Sequence, residues 1–445
     1  MRKHRLIIVD QIVNSGGVER FLEECVRALL SHPESRDWEI HLLVNSHNTS
    51  GKPVAWARAL APAGAHVRYL FDDAFHRPFQ LLRTPRRVFN LPGTTFLLER
   101  LRKICLLSPF KTLRSLAGDS KSYIELFVSR GKFDLGFFAF PFSMDCPNLS
   151  IPMVSLPHDL SHKNPEVAPP TASIIERQLP AWLKKSRRLF VNSQFILSEI
   201  EKHYPEQASK VKVVRLGIPS SPSTLSDTLI DSLKRTLPEK FILTSGWITP
   251  HKDQGVLLRA AQLLRKKGVS IPLVFTGPNT KDIFNPLSSE PYVRFLAKEA
   301  KALGLIEGKD IFALGFVDAS TLIALYRLAS AFVLTSRYEA GSFPVREAIR
   351  QGCPVICSDI PPLKEEMEAI GKPALLFSTG NADDLAQKIQ SLLENSETVR
   401  KTTAASVPQL LSTFSWEKLA KQYFQVFEEV IREQDPLTQA HTTRA

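Results

Sequence analysis

The stretch from Ala331 to Asp359 constrains this chain more than any other. It opens on an apolar run, Ala331 to Leu334, that reads as a buried strand, and ends near a second run, Pro354 to Cys357. Between them lie a small-residue loop around Gly341 and Ser342 and a helix that starts near Pro344. Proline suits a first helical turn, where its missing N–H would have no intrahelical partner. Strand, loop, helix and strand make a βαβ unit, the building block of a parallel sheet. Gly341 and Ser342 leave the backbone bare at the helix start, where free N–H groups and the positive dipole end favour an anion. Glu339 and Glu347 flank this loop, and carboxylates accept hydrogen bonds from sugar hydroxyls. The residues point to a ligand that carries both hydroxyl and phosphate groups.

A chain of 445 residues is too long for one core, and two domains of roughly 200 residues each are expected. No apolar run approaches the roughly 20 residues of a membrane helix. Leu6 to Val9 is too short for a signal-peptide core and reads as the first strand of a cytoplasmic protein. Five scattered cysteines argue against a disulfide framework. The net charge of +12 implies an anionic partner, for which nucleic acid, a membrane surface and anionic substrates all qualify.

In the first half, Leu6 to Asp10 is followed by Asn14-Ser15-Gly16-Gly17-Val18-Glu19-Arg20 and an amphipathic helix to about Leu30. The double glycine lets backbone approach a ligand closely, although the G-x-G-x-x-G fingerprint is absent. Residues 76–121 interleave many cations with apolar side chains. That composition suits either an anionic membrane surface or an ordinary helical insertion with a solvated basic face. Phe133 to Phe140 and Pro152 to Leu160 read as strands, the second ending in His158-Asp159. Polar groups just past the carboxyl end of a parallel strand commonly meet ligands. Asp159 either orients His158 or caps the next helix. His158 and His162 lack a third ligand, so no zinc site is expected. Arg188 to Val191 is a strand, with Ser193 capping the helix after it.

The Pro/Ser-rich run 219–226 marks a domain boundary. The expected organisation is a first domain over 1–218, a linker over 219–238, a second domain over 239–414, a helix crossing back over 415–433 and a disordered tail over 434–445. The second domain opens with Phe241 to Gly246, then Trp247-Ile248-Thr249-Pro250-His251-Lys252. Strands follow at Ile271 to Phe275 and Ile311 to Asp318. There is no D-x-D triplet to hold a divalent metal. Gly304 to Lys309 imitates a phosphate loop but has Asp310 where Ser or Thr is required, and neither G-x-S-x-G nor H-E-x-x-H occurs.

The pair Glu339 and Glu347, with Glu347-Ala348 and Gly352-Cys353-Pro354-Val355-Ile356-Cys357-Ser358-Asp359, resembles the donor-binding signature of the retaining glycosyltransferases of family 4. The resemblance covers most of the chain, most strongly from about 240 to 365. It implies an α/β GT-B fold, two Rossmann-like doubly wound parallel-sheet domains facing a central cleft. It also implies transfer of a hexose from a nucleotide-sugar to a hydroxyl, with GDP-mannose the first choice and a UDP-sugar the next. The acceptor would be a glycan or a lipid-linked hydroxyl in glycolipid or cell-surface polysaccharide assembly. By resemblance, Glu339 holds the sugar hydroxyls and Glu347 the ribose hydroxyls. Lys252 and helix-end amides attend the diphosphate, and Gly246, Gly341, Ser342 and Phe343 belong to the donor-binding set. Gly16 and Gly17 lie near the diphosphate and acceptor, and the backbone of Phe316 and Val317 meets the nucleobase. His158 lies beside the donor sugar, so His158, Glu339 and Lys252 form the implied catalytic set. No metal, cofactor or catalytic base is implied. One departure stands out: Trp247 occupies the place of a family arginine, and His251 or Arg337 could replace the missing charge. The enzyme would be cytoplasmic or peripheral at a membrane's cytoplasmic face. The competing readings are a sugar-nucleotide epimerase of the same fold and a non-enzymatic basic protein binding lipid or nucleic acid. Nucleic acid is the least expected partner, and steep salt dependence would reveal it.

Overall fold

The computed structural model describes residues 2–10, 17–44, 55–70, 92–116, 119–141, 144–220 and 225–434. Gly16, residues 76–91 and 117–118 of the basic segment, part of the linker and nearly all of the expected tail lie outside these. Two parallel sheets organise the chain. The first contains β1 (His4–Val9), β2 (Trp38–Val44), β3 (His66–Tyr69), β4 (Leu135–Phe138), β5 (Met153–Ser155), β6 (Arg188–Val191) and β7 (Val211–Val213), in the order β3-β2-β1-β4-β5-β6-β7. The second contains β8 (Ile242–Ser245), β9 (Leu273–Thr276), β10 (Ile311–Gly315), β11 (Ala331–Leu334), β12 (Val355–Ser358) and β13 (Leu375–Phe377), in the order β10-β9-β8-β11-β12-β13. Both are doubly wound, as the βαβ pattern predicts. The expected strands at 133–140 and 152–160 are shorter, because the chain leaves the sheet once its pairing partner ends.

Continuous apolar runs form these strands because both sheet faces are covered. Successive side chains point to opposite faces. Thus Ile242, Val333 and Ile356 pack under helices Gln254–Lys266 and Ala382–Glu394. Their neighbours Leu243, Phe332, Leu334 and Val355 pack under helices Ala319–Leu328 and Phe343–Arg350. Strand order reverses between β1 and β4 and between β8 and β11. In open α/β sheets, ligands settle beyond the carboxyl ends of the strands at such switch points. The loops carrying Lys252 and Glu339 follow β8 and β11.

The final helix, Trp416–Arg432, packs on the first sheet. Tyr423 lies 4.6 Å from Phe190 and 5.8 Å from Phe137, ring to ring. Its start also fixes the crossover, since a Cβ on Gly217 would lie 2.2 Å from the Trp416 ring. Phe343 joins the same core from the second domain.

Arg346 ties the junction together. It is fully buried, donates to the Leu216 carbonyl at 2.5 Å, pairs with Glu366 and lies 4.1 Å from the Phe414 ring. Arg346→Ala strands the buried Glu366 carboxylate and should destabilise the protein by about 3–5 kcal/mol. Chemical denaturation reads this directly, and a loss below about 1 kcal/mol would show the junction to be held by other contacts.

Candidate active site

Each of β8 and β11 ends in a loop, and hydrogen bonds stitch the two loops together. Thr335 Oγ1 donates to the Lys252 carbonyl at 2.6 Å, and the Arg337 amide donates to the His251 carbonyl at 2.7 Å. Arg337 Nε donates to Asp253 Oδ2 at 2.7 Å, and Asp253 adopts a left-handed φ of 45°. The frame brings Lys252 Nζ onto Glu339 Oε1, which also accepts from Ser336 Oγ at 2.6 Å. Both side chains are largely screened from water, so their charges act through a lower effective dielectric.

Glu347 lies in the helix that follows, its side chain only 8 % exposed. Burial pushes its carboxyl pKa up and the Arg20 guanidinium pulls it back. Arg20 comes from helix Gly17–Ser31 of the first domain and ion-pairs with Glu347 across the junction. Tyr326 Oη stands 3.3 Å from Ser245 Oγ and 3.5 Å from Glu347 Oε2. The ends of β8, β9 and β10 converge on two glycines. Gly246 and Gly277 have φ of 132° and 126°, and a Cβ on Gly277 would lie 2.3 Å from the Gly246 carbonyl. Beyond β10 the Phe316 ring is exposed and Val317 half-buried.

His158 lies on the first-domain side and is buried. Its Nε2 is 2.7 Å from the Ala139 carbonyl and its Nδ1 is 3.2 Å from the Asn192 amide nitrogen. Burial pushes its pKa down to about 4, so the ring is neutral at pH 7, donating at Nε2 and accepting at Nδ1. A sugar hydroxyl reaches either nitrogen only by displacing one of these partners. Asp159 accepts the Ser161 amide at 2.9 Å in a local turn, ahead of the short helix Ser161–Lys163 that begins after Leu160 without a side-chain cap. The next amide, that of Leu160, donates to Tyr338 Oη at 3.0 Å, so the His158 and Glu339 loops meet across the domains.

Two sequence expectations look different in three dimensions. The backbone at the helix start is not bare: the Ser342 amide donates to Glu366 Oε1 at 3.0 Å, and the Ser342 hydroxyl caps Val345. A Cβ on Gly341 would lie 3.0 Å from that same oxygen. The proposed substitutes for the missing arginine are also engaged. His251 is mostly buried, with its pKa pushed down by burial and then by Lys252, while Arg337 is matched by Asp253. The Trp247 ring is 41 % exposed and its carbonyl accepts from Gln254 at 2.8 Å. Arg20 escaped the sequence reading, although it ends the Gly-Gly-Val-Glu-Arg run beside the double glycine. Gly17 is exposed at the start of that helix.

Away from the cleft, Glu39, His41 and His66 form the one trio of metal-ligand type among the described residues. Arg5 stands 3.2 Å from both Glu39 and His41 Nε2 and supplies the positive charge there itself.

Comparison with known proteins bears on this geometry. Residues 226–406 match the family of glycosyl transferases group 1. The chain is 26 % identical over 301 residues to the O-antigen chain mannosyltransferase B of Escherichia coli, covering 63 % of this chain and 73 % of that protein. It is 30 % identical over 188 residues to the serotype-specific mannosyltransferase WbdA of Escherichia coli, covering 42 % of this chain but only 21 % of that longer protein. Among solved structures, sucrose-phosphate synthase from Thermosynechococcus elongatus superposes with a TM-score of 0.68 at 16 % identity. The match covers 97 % of this chain and 100 % of that one.

Proposed function

We propose that this chain, which has a GT-B fold and matches the glycosyl transferases group 1 family over residues 226–406, moves a mannosyl residue from GDP-mannose to a hydroxyl of a glycan or lipid-linked acceptor. A UDP-sugar is the second choice of donor, and transfer retains the configuration at the anomeric carbon. One observation carries this reading: Lys252 and Glu339 meet at the carboxyl ends of β8 and β11, with the buried Glu347 carboxylate in the adjoining helix. The mannosyltransferase relative supports the choice of sugar.

In this reading Glu339 turns from Lys252 to the sugar hydroxyls, and Glu347 receives the ribose hydroxyls. The bond between the anomeric carbon and the diphosphate oxygen breaks as the acceptor oxygen bonds to that carbon. The acceptor proton passes to the departing phosphate. Lys252, freed from Glu339, stabilises the growing phosphate charge, a role preorganised by the Thr335 and Arg337 hydrogen bonds. No metal or cofactor enters.

The test is a thermal-shift screen with GDP, UDP, ADP and their sugars in EDTA, followed by transfer assays and NMR of the anomeric product. Free ligand at about 100 times Kd stabilises a folded protein by about 2.7 kcal/mol. GDP and GDP-mannose should raise the melting temperature most. A well-folded protein indifferent to every nucleotide would defeat the proposal.

A lipid-linked acceptor suits the surface of helix Pro92–Leu107 and the turn after it. Leu101, Ile104, Leu107 and Phe110 are exposed there, Leu107 at 86 %, among Arg100, Arg102 and Lys103. No described helix is long and apolar enough to cross a membrane. Apolar side chains flanked by cations suit shallow insertion at an anionic interface, the peripheral placement we propose. Leu107→Glu with Phe110→Glu should abolish co-sedimentation with phosphatidylglycerol vesicles while the melting temperature holds. Unchanged sedimentation would remove this surface from the account.

A further inference from the structure

The cations of the cleft are each matched by a carboxylate: Lys252 by Glu339, Arg20 by Glu347 and Arg337 by Asp253. The chain's net charge of +12 therefore has its source elsewhere. One concentration lies at the opposite end of the first sheet. Helix Ala172–Lys185 runs into β6 through Lys184-Lys185-Ser186-Arg187-Arg188, at the amino ends of β5 and β6. His158 and the cleft lie beyond their carboxyl ends. With Lys210, which precedes β7, these four cations line an open cavity of about 540 Å³.

The cavity is underneutralised. Its one lining carboxylate is Glu433, which pairs with Arg188. Among the described residues, Lys184, Lys185 and Arg187 form no ion pair. Lys210 is fastened in place, donating to the Lys184 carbonyl at 3.0 Å and to Gln207 Oε1 at 2.8 Å. Burial and then the Arg187 guanidinium push its pKa down. Holding like charges together by packing costs stability, and a bound anion relieves that cost. Arginine forks and lysine ammoniums together match the several acceptor oxygens of a phosphate.

We infer that this cavity is a second anion site, built for a phosphate-ester group with at least two negative charges and separate from the donor cleft. Such a group belongs either to a lipid headgroup or to a soluble phosphorylated compound. The inference does not depend on the donor or the sugar transferred.

The probe is inorganic pyrophosphate, compared with sodium chloride at matched ionic strength. Three proteins are melted: the unmodified chain, Lys185→Gln with Arg187→Gln, and Lys252→Ala. Lys185 and Arg187 are exposed, so their replacement leaves the core untouched. Pyrophosphate should raise the melting temperature of the unmodified chain by about 2 °C or more and do the same for Lys252→Ala. The double variant should lose the shift. Loss in Lys252→Ala with retention in the double variant would assign the anion to the cleft and overturn the inference. So would the absence of any shift. A vesicle arm separates the sources, using phosphatidylcholine with or without phosphatidic acid. Weaker sedimentation of the double variant on phosphatidic acid points to a headgroup. Equal sedimentation, with the pyrophosphate difference intact, points to a soluble phosphate.

Discussion

Replacing Lys252 by alanine should lower kcat/KM by about 10²–10³-fold, the cost of removing one preorganised stabiliser of a developing negative charge. The lysine is fixed from both ends. Its carbonyl accepts Thr335 Oγ1, and its ammonium rests on Glu339 between the two loops. In the proposed reaction, alanine removes the positive charge at the departing diphosphate and leaves Glu339 bound only to Ser336, an uncompensated negative charge where more is about to develop. The loss should fall mainly on kcat, since phosphate charge grows only in the transition state. Lys252→Arg should recover only part of the rate, because a planar guanidinium does not replace a compact ammonium in a filled site. Steady-state kinetics with GDP-mannose decides the matter. A kcat within about threefold of the unmodified enzyme would show that Lys252 stays paired with Glu339 throughout the reaction.

The second large effect is expected at Glu347. Glu347→Ala should weaken GDP by about 10²-fold or more, because two hydrogen bonds to a charged acceptor contribute about 1.5–3 kcal/mol each. The carboxylate is buried and its counter-ion reaches it from the other domain, so the pair also joins the two halves. Arg20 is about a third exposed and can be solvated once Glu347 is gone, so the fold should tolerate the substitution. Glu347→Gln, which keeps one acceptor oxygen, should fall between. Calorimetry on the three proteins reads the order directly. Equal GDP affinity in all three would remove Glu347 from the nucleotide site. Arg20→Ala is the companion measurement. If Arg20 serves only to neutralise Glu347, GDP binding should change far less than in Glu347→Ala.

Much of this architecture was legible in the chain. The runs at Ala331 to Leu334 and Pro354 to Cys357, with Pro344 between them, became β11, β12 and helix Phe343–Arg350. Ser193 caps its helix by accepting the Ile196 amide at 3.3 Å, and the Trp416–Arg432 helix lies within the expected span 415–433. These features rest on interactions within a few residues, so local residue types determine them. Apolar periodicity also determined that both faces of each sheet are covered, and hence that the fold is doubly wound. Only the tertiary structure decided what the polar groups meet. The chain does not show that Arg20 pairs with Glu347, that Glu366 reaches back to the Ser342 amide, or that both nitrogens of His158 are engaged inside the first domain. Nor does it show that the cleft cations are matched one by one while Lys184, Lys185 and Arg187 are not. The reason is physical. Periodicity records that a face is buried, whereas the partner of a charge depends on strand order and on how two domains meet, which no local pattern encodes.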